Sequence, residues 1–204
     1  MSVKSYSYLA LGDSYTIGEN VPIYDSFPYQ TVQQLRKAGY SFYAPEIVAK
    51  TGWTTDELQA GIANNKLLTH YDIVSLLIGV NNQYRGRSLQ EYTEHFEALL
   101  KRAIAFANNK NTHVFILSIP DWGVTPFAKD RNSVTIAHEI DSFNAVNKLF
   151  AEKYNVHYID ITQGTRLAAN DTTLLAGDQL HYSGKEHGHW AEKLSQKIQQ
   201  SIPK

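Results

Sequence analysis

Five short apolar runs, at residues 6–11, 46–49, 72–78, 113–119 and 156–161, are separated by longer stretches of helical period. Connections of that length between short strands carry a helix each, so the strands run parallel. The runs at 72–78 and 113–119 are nearly continuous in Ile, Leu, Val and Phe. That is expected of strands covered by helices on both faces. The spacing predicts an α/β chain with a five-stranded parallel sheet.

The helices are marked by their starts. Thr54 with Glu57, Ser88 with Glu91 and Ser183 with Glu186 have the capping-box spacing, in which hydroxyl and carboxylate satisfy free amides of the first turn. Behind them Leu58 and Ile62, then Tyr92, Phe96, Leu99 and Ala103, then Trp190, Leu194 and Ile198 form one apolar stripe each. A first helix is expected over 28–38, stopped by Gly39, and another over 134–154. No linker rich in Pro, Gly or Ser divides the 204 residues, so one domain over 1–204 is expected.

Charge and composition narrow the partners. With 19 basic and 20 acidic residues, the net charge of −1 offers no general attraction to nucleic acid or anionic lipid. The absence of cysteine removes disulfides and thiolate metal sites. No apolar run approaches the length that spans a bilayer, and residues 1–11 lack a secretory leader's long apolar segment. A soluble chain is expected, cytoplasmic by default, or exported if a leader has been removed. Oligomeric state leaves no readable mark.

In an open parallel sheet the carboxyl ends of all strands lie on one edge, where residues remote in sequence meet. Ser14 follows the first run, Gly52 the second, Asn81 the third and Asp121-Trp122 the fourth, while Asp178 and His181 follow the fifth. A serine in a strand-to-helix turn is a candidate nucleophile, and equally a good helix cap. The base it needs is at hand: Asp178 and His181 can meet within one backbone turn, the carboxylate orienting the imidazole. A histidine base predicts a rate that rises with pH through the ordinary imidazole range, near about 6.5. Asp13 reads as a turn organiser and Gly18 as the residue of a tight bend.

These residues resemble the SGNH (GDSL-like) serine hydrolases. The likeness lies in Gly12-Asp13-Ser14 with Gly18, in Gly52, in Gly79-Val80-Asn81 and in Asp178-x-x-His181, in the family's order along most of the chain. It implies a three-layer α/β/α, flavodoxin-like fold, and hydrolysis of small or medium carboxylic oxygen esters through an acyl-enzyme, without a cofactor. It further implies Ser14 as nucleophile, His181 as base and Asp178 as its orienter. The oxyanion hole would come from the Ser14 and Gly52 amides and the Asn81 side chain. Asn82 departs from the family pattern, which has aspartate there.

Trp53, Tyr84, Trp122 and Phe127 follow strands on the same edge and could wall a pocket for an acylated carbohydrate or lipid-like ester; packing in the core or in loops is the alternative reading. The turn-rich segment 120–127 is expected to border that pocket and to act as a lid. His181, His187 and His189 do not make a metal site, because the last two point to different faces of a helix. Two other functions share these features: an acyltransferase using the same first half-reaction, and a non-catalytic module holding phosphate or flavin at residues 12–18.

Overall fold

The computed structural model describes residues 5–203; the first four residues of the segment considered as a leader lie outside them. Five parallel strands, β1 (Tyr8–Gly12), β2 (Glu46–Ala49), β3 (Ile73–Leu77), β4 (Val114–Leu117) and β5 (His157–Ile159), form one sheet in the order β2-β1-β3-β4-β5. The helices are α1 (Ser14–Ile17), α2 (Phe27–Lys37), α3 (Thr55–Ala63), α4 (Val80–Tyr84), α5 (Leu89–Phe106), α6 (Ser133–Tyr154), α7 (Thr162–Thr165) and α8 (Gly184–Ser201). Every residue of β1, β3 and β4 is buried, so helices cover both faces of the sheet's centre. Helix α2 packs along α8, and α5 packs against both α3 and α6. This is the three-layer arrangement expected, with the flavodoxin-like strand order.

The strand ends differ from the apolar runs because other groups, main-chain at one end and side-chain at the others, take over the backbone. At the start of β1, Tyr6 leaves the main ladder and pairs with Phe42 instead. Beyond β4, the Ile119 amide donates to Asn144 Oδ1 at 2.7 Å. Beyond β5, the amides of Ile161 and Thr162 donate to Ser118 Oγ at 2.8 and 3.0 Å. These buried groups are satisfied by side chains rather than by a neighbouring strand.

The expected helix starts are in place, but the caps are not uniform. At Thr54 the capping box forms, with Glu57 Oε2 accepting from the Thr54 amide at 2.8 Å. At Ser88 the hydroxyl accepts from the Glu91 amide, while the Glu91 carboxylate pairs with Arg87. At Ser183 the box is absent. Ser183 Oγ donates to the Thr173 carbonyl, and the buried Glu186 accepts from Trp190 Nε1 and His189 Nδ1.

Candidate active site

Strand β1 ends in Gly12, and the chain turns at once into α1. Asp13 caps the helix, its Oδ1 accepting from the Tyr15 amide at 3.1 Å. Burial pushes the Asp13 carboxyl up to about 7, against the opposing hydrogen bonds from backbone amides. Its work is in the turn, as the sequence suggested. Ser14 is the first residue of α1 and is nearly buried, at 5 % exposed. Gly18 ends the helix in the left-handed region, φ 75°, which costs glycine nothing.

Asp178 and His181 lie on the loop before α8. His181 Nδ1 is 2.6 Å from Asp178 Oδ2. A carboxylate only accepts, so Nδ1 carries the proton, and in the neutral ring the other nitrogen is an acceptor. Asp178 Oδ1 accepts from the amides of Leu180 and His181 at 3.1 and 3.0 Å. Partial burial works to raise the Asp178 carboxyl. The ring and backbone donors outweigh it and hold the group below the usual carboxylate value. A further donor reaches Oδ2 from outside the loop, the Asn20 side-chain amide at 2.6 Å.

Ser14 and His181 line the same cleft, of about 170 Å³, together with Tyr15, Val80, Asn81, Tyr84, Trp122, Phe127 and Leu180. No direct hydrogen bond joins the two side chains. The cleft lies at the carboxyl ends of β1 and β3, where the strand order reverses and open α/β sheets hold their ligands.

The residues expected to stabilise an oxyanion are placed unequally. Asn81, in the first turn of α4, lines the cleft, and its Nδ2 donates to the Trp53 carbonyl at 3.0 Å. Gly52, at φ 83°, is not among the lining residues, and its carbonyl accepts from Arg85 Nη2 at 2.6 Å. The two loops are joined by Asn82, fully buried. Its Oδ1 accepts from the Thr55 amide at 3.1 Å and its Nδ2 donates to Thr55 Oγ1 at 2.8 Å. An amide can accept and donate at once, so the neutral residue ties the start of α3 to α4 without burying a charge.

Of the four aromatic residues, Tyr84, Trp122 and Phe127 line the cleft and touch one another, with ring centroids 5.2 to 6.4 Å apart. The Trp53 ring lies elsewhere, over Gly61 of α3. Segment 120–127 borders the cleft as two short 3₁₀ turns. Trp122 Nε1 donates to Gln83 Oε1 at 2.7 Å, Asp121 pairs with Arg166 at 2.8 Å, and the Phe127 amide donates to the Gln179 carbonyl at 3.3 Å. The segment expected to be a lid is thus tied down along its length. Tyr15, Leu180 and Asn20 bear no mark of a site in the sequence, and Val80 only its place in the Gly79-Val80-Asn81 block. Tyr15, Val80 and Leu180 carry the apolar pattern of core residues, and Asn20 is one polar residue in a turn.

A model of the GDSL-like lipase/acylhydrolase family matches residues 10–189. The chain belongs to that family. It is an ester hydrolase with the SGNH-type fold. No curated protein matches it by sequence. Among solved structures it is similar to a lipase/acylhydrolase from Enterococcus faecalis, with 18 % identity, 98 % of each chain covered and a TM-score of 0.76. It is also similar to Axe2, an acetylxylan esterase from Geobacillus stearothermophilus, with 19 % identity, 98 % of this chain and 97 % of that one covered, and a TM-score of 0.74. The psychrotrophic esterase EstA from Pseudoalteromonas, 16 % identical, covers 96 % of this chain and 98 % of its own, with a TM-score of 0.68. At such identities the likeness is one of fold.

Proposed function

We propose that this hydrolase, as a single domain, cleaves carboxylic esters of short acyl chains through an acyl-enzyme on Ser14. The observation that carries the reading is the Asp178–His181 hydrogen bond of 2.6 Å, whose imidazole lines the same cleft as the serine. His181 takes the Ser14 hydroxyl proton as Oγ bonds to the ester carbon. The serine–imidazole bond forms once substrate fills the cleft, since such bonds tighten in the bound complex.

Negative charge then develops on the carbonyl oxygen. The Ser14 and Gly52 amides and Asn81 Nδ2 are the donors assigned to it. Collapse of the tetrahedral adduct expels the alcohol, which takes the proton from His181. Water adds to the acyl group, again giving a proton to His181, and the acid leaves as Ser14 recovers its hydrogen. An apolar cleft of this size, below the usual 300–1,000 Å³ of drug-sized sites, suits a short acyl group. That several residues of the wall are aromatic supports the same reading.

The test is hydrolysis of p-nitrophenyl acetate. Ser14→Ala should lower kcat at least ~10³-fold with the fold intact by circular dichroism, because removing one triad member disables the whole unit. Labelling of the wild type by a fluorophosphonate should be lost in the same variant. Ordinary turnover by Ser14→Ala would sink the mechanism. Product analysis in the presence of an added alcohol separates hydrolysis from acyl transfer, which shares the first half-reaction.

A further inference from the structure

The turn that follows the nucleophile reaches to the far end of the triad. Its anchor is the Ser14 carbonyl, which accepts from the amides of Gly18 and Glu19 at 3.1 and 3.0 Å. The next residue, Asn20, has φ 62°. Asparagine tolerates this left-handed conformation better than most side chains. From there its Nδ2 donates to Asp178 Oδ2 at 2.6 Å, a contact across 158 positions of sequence. On its other side the turn is held by Glu19, whose carboxylate accepts from the hydroxyl of Thr51, the neighbour of Gly52.

Asp178 therefore has four donors. Two backbone amides hold Oδ1, while Oδ2 is shared between His181 Nδ1 and Asn20 Nδ2. The loop amides fix one oxygen only. Asn20 fixes the rotation of the other, the oxygen on which the imidazole depends, and draws off part of its charge.

We propose that Asn20 is a positioning residue of the triad, holding Asp178 Oδ2 in line with His181 and moderating the negative charge that the imidazole meets. The proposal rests on the reading of Ser14, Asp178 and His181 as a catalytic unit. The other titratable groups facing the ring are Tyr15 of α1, whose ring centroid is 5.5 Å away, and His187 of α8, which feels the His181 charge. Tyr182, Asp13, Asp121 and Asp178 itself act on Tyr15 in turn. Asn20 is a neutral donor that touches the carboxylate itself.

A donor taken from a carboxylate leaves more charge on its oxygens, and the neighbouring imidazole then keeps its proton to higher pH. Two variants separate the effects. Asn20→Gly deletes the amide at a backbone angle that glycine adopts freely, and Asn20→Asp keeps the shape while replacing a donor with an acid. For Asn20→Gly, the rising limb of kcat/KM should move up by a few tenths of a pH unit, and kcat should fall about 10-fold at unchanged KM, as expected for a loosened catalytic group. For Asn20→Asp the limb should move further in the same direction.

The deciding measurement does not need turnover. The titration midpoint of the His181 imidazole, followed by nitrogen-15 NMR in the wild type and both variants, should rise in the order wild type, Asn20→Gly, Asn20→Asp. Midpoints that coincide in all three, or fall in Asn20→Asp, overturn the proposal. If Asn20→Gly does not fold, the comparison with Asn20→Asp decides alone. A wild type without esterase activity would defeat the reading of Ser14 while leaving the titration to judge Asn20.

Discussion

His187 shows how one buried side chain can tie stability to pH. Its Nδ1 accepts from the Phe27 amide at 3.3 Å, and its ring packs against both Phe27 and Trp190. Burial, aided by the charge of His181, lowers its pKa to about 3. The unfolded chain binds that proton near about 6.5. Between these values the unfolded state holds more protons than the native one, so stability is lost as pH falls from 6.5 towards 3. His187→Leu should be less stable than the wild type at pH 7 by roughly 1–2 kcal/mol, because the Phe27 amide loses its acceptor. The gap should narrow at pH 4.5, where only the wild type carries the proton burden. Urea midpoints at the two pH values check this, and a constant gap would show that His187 titrates normally. The sequence placed His187 and His189 on different faces of one helix, which is the arrangement found, one buried and one largely exposed. It could not tell which residues would meet the buried ring, since Phe27 lies 160 positions away. Asn20 was hidden for the same reason. A single polar residue in a turn has no pattern, and its partner is set by where two loops end.

At the scale of elements, the strands were legible because burial on both faces leaves an apolar run, and the helices because one buried face leaves a stripe. Their ends were less so. Ser118 and Asn144 take over backbone amides beyond β5 and β4, a tertiary contact with no local signature. Glu186 has the spacing of a cap and makes a different bond, because Trp190 Nε1 one turn along is buried and needs an acceptor. Gly12 ties the end of β1 to the site. A Cβ there would stand 2.3 Å from the Leu77 carbonyl oxygen of β3 and 2.1 Å from Thr16 Oγ1. The strand neighbour is backbone and cannot turn aside, so β1 would have to shift where Ser14 begins. Gly12→Ala should cost about 2–3 kcal/mol, at the upper end for overpacking, and lower kcat as well. Equilibrium unfolding of the purified variant measures the first effect. A wild-type urea midpoint would mean that the sheet edge yields more easily than its geometry implies.

Over the whole molecule, the parallel sheet brings the ends of all its strands to one edge, and its order reverses between β1 and β3. Ser14 and Asn81 follow those two strands, and the loop before α8 delivers His181 to the same cleft, with Asp178 bonded to its Nδ1. That convergence could be read from the chain because topology alone determines which edge each loop occupies. Which of the aromatic residues form the wall could not, since Trp53 and Tyr84 both follow strands and only packing against Gly61 turns Trp53 away. On the proposed function, the resulting wall of Val80, Tyr84, Trp122, Phe127 and Leu180 would limit acyl length. Each methylene buried in it contributes about 0.8 kcal/mol, or roughly fourfold in kcat/KM, until the cleft is full. Along a series of p-nitrophenyl esters, kcat/KM should rise from acetate to butyrate and level off or fall by octanoate. Phe127 is 48 % exposed and held through its backbone amide, so shortening it opens the cleft without removing that anchor. Phe127→Ala should move the plateau to longer chains while changing acetate turnover little. A steady rise through decanoate in the wild type would mean that acyl chains leave the cleft along a path these walls do not bound.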